Sequence, residues 1–219
     1  MRAPAASKHF FLCTLAALLA SVSAPAQTSH RAHSERRTIA SADKSFEIRY
    51  PPSLLVCAHR DGENPDVWSP KACAAEIPVC DSSGHAENVL ACLAYPMDEF
   101  NKSNLQAAAL AVSRLENLSL EECAGKWPRA NTSNVHTEQI AGNTFRAASA
   151  QESANNFISE QTIYRVVHDG ACYEVDLNFT SALDAAFAVE DAPRKLAAAE
   201  REKIRNTLLQ ALRGFRFVK

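Results

Sequence analysis

Apolar and polar positions begin to alternate at Ser45. Phe46, Ile48 and Tyr50 fall on one side and Glu47 and Arg49 on the other, until Pro51-Pro52 interrupts the run. Alternation with period two predicts a strand that buries one face. A second short strand is expected over residues 54–58, and residues 59–72, crowded with Asp, Gly, Asn and Pro, predict a long loop. Residues 77–80 and 89–95 flank the polar turn Ser82-Ser83-Gly84, which reads as a hairpin closed by its own cysteine pair. Pro78 would place the first of these strands at an edge, because proline cannot donate to a ladder. The period then changes. Leu105, Ala108, Ala109, Val112 and Leu115 recur at three and four, which predicts an amphipathic helix over 104–118 opened by a Ser103/Gln106 capping box. A second box, Ser119 with Glu122, opens a short turn that holds Cys123 and stops at Gly125.

Two hairpins are expected next. The first joins residues 135–140 to 144–150 with Gly142-Asn143 at its tip. The second joins 158–168 to 171–180 through Asp169-Gly170, a two-residue turn whose positive-φ preference matches the twist of the flanking strands. That turn sets the register. His168 pairs with Ala171, so Val166, Tyr164 and Thr162 stand opposite Tyr173, Val175 and Leu177 on one apolar face. The other face pairs Val167 with Cys172 and Arg165 with Glu174; being mixed, it is expected to be partly covered at most. A last helix is predicted from near Asp191, with Pro193 in its first turn, and Ala197, Ile204, Leu208, Leu212 and Phe215 at helical spacing. Gly214 ends it, and Phe215-Arg216-Phe217-Val218 alternates as a closing strand. Residues 27–43, polar and with scarcely an apolar side chain, predict a disordered lead-in.

The first residues change the picture of where this chain works. Arg2 and Lys8 precede an apolar run over residues 10–20, and small residues lead to Ala24-Pro25-Ala26, the order of a secretory signal peptide cleaved after Ala26. The run is too short to span a bilayer, and no later run is long enough, so no membrane insertion is expected once the leader is removed. Leu12 before Cys13 argues against a lipid anchor. The leader carries two basic and no acidic residues, so the remaining 193 hold 21 basic against 25 acidic side chains, a net charge of −4. That balance disfavours a nucleic-acid partner. It also leaves six cysteines, Cys57, Cys73, Cys80, Cys92, Cys123 and Cys172, an even number in an exported chain. Six cysteines allow fifteen connectivities; pairing neighbours in the expected fold gives Cys57 with Cys73, Cys80 with Cys92 and Cys123 with Cys172. The location implied is secreted or periplasmic.

Strands, a helix, antiparallel strands, a long helix and a closing strand make an α+β order, an antiparallel sheet with two main helices packed on it. The order resembles the PsbP-like fold family. The residues that carry the likeness are Phe46-Glu47-Ile48-Arg49-Tyr50-Pro51, the hairpin from Tyr164 to Leu177 with Cys172-Tyr173-Glu174, and the close from Leu208 to Phe217. The resemblance implies an α/β/α sandwich over a single domain, residues 44–219, in which the cysteine-rich insert 57–92 departs from the usual pattern. It implies a bacterial exported member of a set of binding and assembly modules that share no active site.

The candidate chemistry is sparse. Cys57 beside His59 is the nearest approach to a thiol nucleophile with a base, but an exported chain with six cysteines favours disulfides. The Cys and His residues between 57 and 92 lack the paired short spacings of a zinc site, so no metal is assigned. Gly-x-Ser-x-Gly is absent, and six glycines leave no phosphate-cradling loop, so no catalytic residue and no cofactor are assigned. The loop 59–72 is the ligand-binding candidate. Trp68, flanked by Asp66 and Lys71 and held between Cys57 and Cys73, offers an indole to a partner protein or small ligand, although a tryptophan also serves to pin its own loop. The reading is an exported, disulfide-stabilised binding or assembly module rather than an enzyme. The alternatives are a secreted hydrolase or thiol enzyme whose site is assembled from distant residues, or a protease inhibitor using the 59–72 loop.

Overall fold

The computed structural model describes residues 36–41, 43–56, 80, 89–100, 102–116, 118–125, 127, 131–183 and 193–218. In chain order the elements are β1 Arg37–Ala40, β2 Phe46–Tyr50, β3 Leu55–Val56, β4 Val89–Ala94, β5 Leu105–Leu115, α1 Leu120–Gly125, β6 Ser133–Ile140, β7 Asn143–Ala154, β8 Phe157–His168, β9 Ala171–Ala182, α2 Ala198–Arg213 and β10 Phe215–Phe217. They build two antiparallel sheets, a seven-stranded one in the order β3-β4-β5-β9-β8-β7-β6 and a three-stranded one in the order β1-β2-β10. The leader 1–26, the remainder of the lead-in before residue 36, and the 59–72 loop lie outside the described residues.

The strands from β6 to β9 are joined by three two-residue turns. Ala141-Gly142, Asn155-Asn156 and Asp169-Gly170 have positive φ at both positions, the signature of the hairpin turn whose twist matches that of the strands. The last of these delivers the expected register, His168 with Ala171 through Thr162 with Leu177. The first tip lies one residue earlier than expected, because Ile140 pairs with Asn143. Ala141 therefore takes a left-handed conformation that disfavours its Cβ. The middle turn extends β7 and β8 beyond the expected ends, since Ala154 pairs with Phe157. Asparagine is among the few residues that enter this region readily.

Residues 105–115 form a strand, not the expected helix. β5 pairs with β4 on one side and with β9 on the other over Leu105 to Leu115. Ala108, Ala109, Leu110, Ala111, Val112 and Ser113 are all buried, so both faces are covered. A strand buried on both faces has no alternation to display, and a continuous apolar run satisfies a helical template equally well. Ten paired positions with β9 override the helix propensity of its alanines. Ser103, expected as a helix cap, donates its Oγ–H to the Phe100 carbonyl and accepts from the Leu105 N–H.

Further corrections come from the same source. Arg37–Ala40, expected to be disordered, pairs with β2 and buries Ile39 opposite Ile48. One apolar side chain with a partner strand beside it is enough to order the segment. β4 pairs with β3 and β5, and Cys80 lies in a 3-10 turn, not in a hairpin strand. α2 starts at Ala198, seven residues after Asp191. Ala197 has no side-chain acceptor, so the Glu200 carboxylate accepts its N–H instead, at 2.9 Å. Gly214 does end the helix, and a Cβ there would collide with the Arg49 carbonyl oxygen.

One face of the large sheet, with Tyr173, Val175, Leu177 and Phe179, meets α2 and the small sheet. Ile204, Leu208, Ala211 and Leu212 are buried from the helix. Phe215 packs its ring against Phe46 and Phe145 at centroid distances of 5.0 and 6.0 Å. β10 returns as expected, pairing with β2 in the small sheet. The opposite face is tied to α1 by the Cys123–Cys172 disulfide, with Cα atoms 5.8 Å apart. The Ser119/Glu122 box caps α1 as read from the sequence. This is an α+β sandwich, with one helix on each face of the large sheet.

Candidate ligand pocket

Where α2 begins, the sheet face beneath it is not fully covered. Register places two rows of side chains side by side there. Ser133, Ser149, Thr162 and Leu177 pair across β6 to β9, and the next row is Gln151, Glu160 and Phe179. These residues, with Arg205 of α2 above them and Asn131 and Asn134 at the rim, line a pocket of about 290 Å³. Leu177 and Phe179 are buried at its base, whereas Ser149, Thr162 and Glu160 are partly exposed.

Arg201 and Arg205, one helical turn apart, share this face of α2. Their guanidinium carbons lie over the Phe179 ring, 5.6 and 5.8 Å from its centroid. Arg201 is ion-paired with Glu160. Arg205 has no carboxylate partner among the described residues. The rim is shaped by a bulge, since the β6–β7 register shifts between Ser133 and His136. Asn134 sits there at φ 53, and its carbonyl accepts a 2.7 Å hydrogen bond from His136 Nδ1. Bulges re-aim side chains at sheet edges and beside binding sites. One row further under the helix, burial first and the Glu138 charge second push the Tyr164 phenol up to about 12, so it stays protonated near neutral pH.

The opposite face is buried and polar. Expected to be partly covered at most, it buries Arg165 and Glu174 to 4% and 5% exposure, and their ion pair is 2.8 Å long. Trp127 lies over the Arg165 guanidinium at 5.5 Å. Asn178, also buried, accepts from Ser159 Oγ at 2.8 Å. The cross-strand charges were legible in the sequence; their burial depends on what lies over that face.

Of the expected site residues, Asp66, Trp68 and Lys71 lie outside the described residues, as do Cys57, Cys73, His59 and His85. Cys80–Cys92 and Cys123–Cys172 are disulfides, the pairing expected for those four. His168 stacks on Phe217, centroids 3.7 Å apart, with Asp169 at 3.4 Å. Among the described residues no three His, Cys, Asp or Glu side chains gather as metal ligands. No helix among them is long and apolar enough to cross a membrane. Arg205 and Ser149 were not singled out from the sequence, and Thr162 was read only as the cross-strand partner of Leu177. The one available signal was Arg201 and Arg205 at helical spacing, which a solvated face would also show.

No family model and no curated protein matches the chain. Solved structures do. LpqN, described as involved in cell envelope biogenesis of Mycobacterium tuberculosis, is similar at 8% identity with a TM-score of 0.45, over 85% of this chain and 92% of that one. A cyanobacterial PsbP from Synechocystis sp. PCC 6803 matches at 7% identity and a TM-score of 0.41, over 86% and 96% of the two chains. A protein from Bacteroides thetaiotaomicron matches at 8% identity and a TM-score of 0.41, over 84% of this chain; the chain spans about half its length, 48%. A PsbP is thus among the structures this chain is similar to, as the sequence resemblance implied.

Proposed function

We propose that the protein is an exported, disulfide-stabilised binding module whose ligand site is the pocket between β6–β9 and the start of α2. The observation that carries the reading is the pocket itself: a concavity with buried Leu177 and Phe179 at its base, hydroxyls and amides on its walls, and a guanidinium at its edge. An apolar base beneath mostly polar walls suits a small polar ligand held by hydrogen bonds. Its volume of about 290 Å³ lies at the small end of such sites, which run from ~300 to ~1,000 Å³. That suits a metabolite-sized ligand better than a peptide.

Export to an oxidising compartment, secreted or periplasmic, is supported by the leader pattern and by two disulfides that clamp the large sheet. Those two bridges occupy four of the six cysteines, which leaves Cys57 or Cys73 as the thiol that a cysteine-enzyme alternative would need. The loop 59–72, through Trp68, is proposed on sequence grounds to contact a partner protein or a small ligand. Loss of a partner from a pull-down with Trp68→Ala, at unchanged stability, would support that assignment; an unchanged set of partners would remove it.

The pocket is tested with a metabolite library and the exported chain, by thermal shift followed by amide chemical-shift mapping. The expected result is a ligand that raises Tm, shifts the amides of Ser149 and Thr162, and is lost when Thr162→Phe fills the pocket. Binders that map elsewhere and survive Thr162→Phe would refute it.

A further inference from the structure

We infer that this pocket selects a small hydroxylated carboxylate, such as a sugar acid or hydroxy acid, and that Arg205 is the anchor for its carboxylate. The inference rests on the proposed function above and adds the ligand's chemistry.

The argument is one of charge and of hydrogen-bonding inventory. Among the described residues, two ionic side chains line the pocket, Glu160 and Arg205. Glu160 is neutralised by its ion pair with Arg201. Arg205 is held over Phe179 by ring contact, with no carboxylate partner among the described residues, so the lining presents one uncompensated positive charge. A guanidinium is a rigid planar fork of donors that matches a carboxylate in bidentate fashion, and it loses little entropy when already held. Phe179 lies beside this one, which makes no hydrogen bond or ion pair among the described residues, so its donors remain for a ligand.

A single net positive charge complements a monoanion, which favours a carboxylate over a phosphate monoester of nearly two negative charges. The adjoining walls supply Ser149 and Thr162 hydroxyls and the Asn134 and Gln151 amides, all neutral groups that both donate and accept. Groups of that kind, close around one cation, suit a body carrying several hydroxyls. A purely apolar acid would leave without partners whichever of them it desolvated.

The experiment is calorimetric titration of the exported full chain with glucuronate, gluconate, glucose, glucose 6-phosphate and inorganic phosphate, repeated with Arg205→Met and Arg205→Lys. Either acid should bind, and glucose should bind at least tenfold more weakly. Arg205→Met should weaken the acid by tenfold or more. Arg205→Lys, which keeps the charge but loses the fork, should fall between. Circular dichroism and Tm of both variants establish that they fold, and amide shifts at Ser149 and Thr162 place the ligand. Glucose binding as tightly as the acids, phosphate or glucose 6-phosphate outcompeting them, or acid binding indifferent to Arg205→Met would each overturn the inference. Silence of wild type toward all five compounds would overturn it too. The proposed function falls on a different result, binders that map away from the pocket and survive Thr162→Phe.

Discussion

Replacing Arg165 by Met should be among the most destabilising single changes on the large sheet. Arg165 and Glu174 are cross-strand partners on β8 and β9, 2.8 Å apart, and each is about 95% buried. At an effective dielectric constant of about 20, charges at that distance attract by about 6 kcal/mol, and removing each ion from water costs several kcal/mol. The intact pair is therefore close to break-even. Truncation is not, because it leaves the Glu174 carboxylate buried without its counter-charge, and the expected loss is about 3–5 kcal/mol. Met retains much of the arginine's volume beneath Trp127, so packing changes little. In a domain of this size the loss lowers Tm by roughly 10 °C. The double variant Arg165→Met/Glu174→Leu should return to within about 1 kcal/mol of wild type or exceed it. Urea unfolding of wild type, both single variants and the double variant closes the cycle; with each single change costing about 3–5 kcal/mol and the double at most about 1, the expected coupling is about 5 kcal/mol or more. If each single change costs under about 1 kcal/mol and the two add, the pair behaves as an exposed one and the burial argument is wrong.

Other outcomes follow from the same structure. The pair Cys123→Ala/Cys172→Ala opens a loop with a sequence separation of 49, which should cost about 4 kcal/mol in unfolded-state entropy, against about 3 kcal/mol for Cys80→Ala/Cys92→Ala with a separation of 12. Urea titrations without reductant measure both, and equal losses would contradict the loop-length account. Gly214→Ala should destabilise by about 1–3 kcal/mol or more, since its Cβ meets the Arg49 carbonyl and backbone cannot swing aside like a side chain; an unchanged Tm would show that β2 yields there. Glu200 is held at about 2, first by Arg194 and then by the Ala197 N–H, below its ordinary 4.5. A lowered carboxylate contributes fully above pH 4.5 and loses that contribution as pH falls toward 2. Glu200→Gln should therefore flatten the stability profile between those values and leave its shape unchanged above them, as acid titration of Tm would show.

The parts of the fold that the sequence determined by itself are those with local causes. Asp169-Gly170 fixed the register of β8 and β9, because a two-residue turn with positive φ at both positions permits one pairing, and every cross-strand pair read from it is present. The Ser119/Glu122 box, the stop at Gly214 and the alternation of β2 are likewise written within a few residues. The Cys123–Cys172 pairing was expected and is present, whereas Cys80 pairs with Cys92 from a 3-10 turn rather than through the hairpin expected to bring them together.

What only the tertiary structure decided is everything that depends on a neighbour distant in the chain. Residues 105–115 carry a pattern that serves a helix or a doubly buried strand, and β4 and β9 on either side settle it. Arg37–Ala40 looks like tail until β2 pairs with it. The buried polar face and the pocket share this origin. Arg165 and Glu174 are ordinary surface charges until that face is covered. Ser149, Thr162, Glu160, Phe179 and Arg205, spread over 57 positions of sequence, become a site because strand register aligns four of them in two rows and α2 sets the fifth above. No local periodicity records such a juxtaposition, because long-range register and helix docking create it.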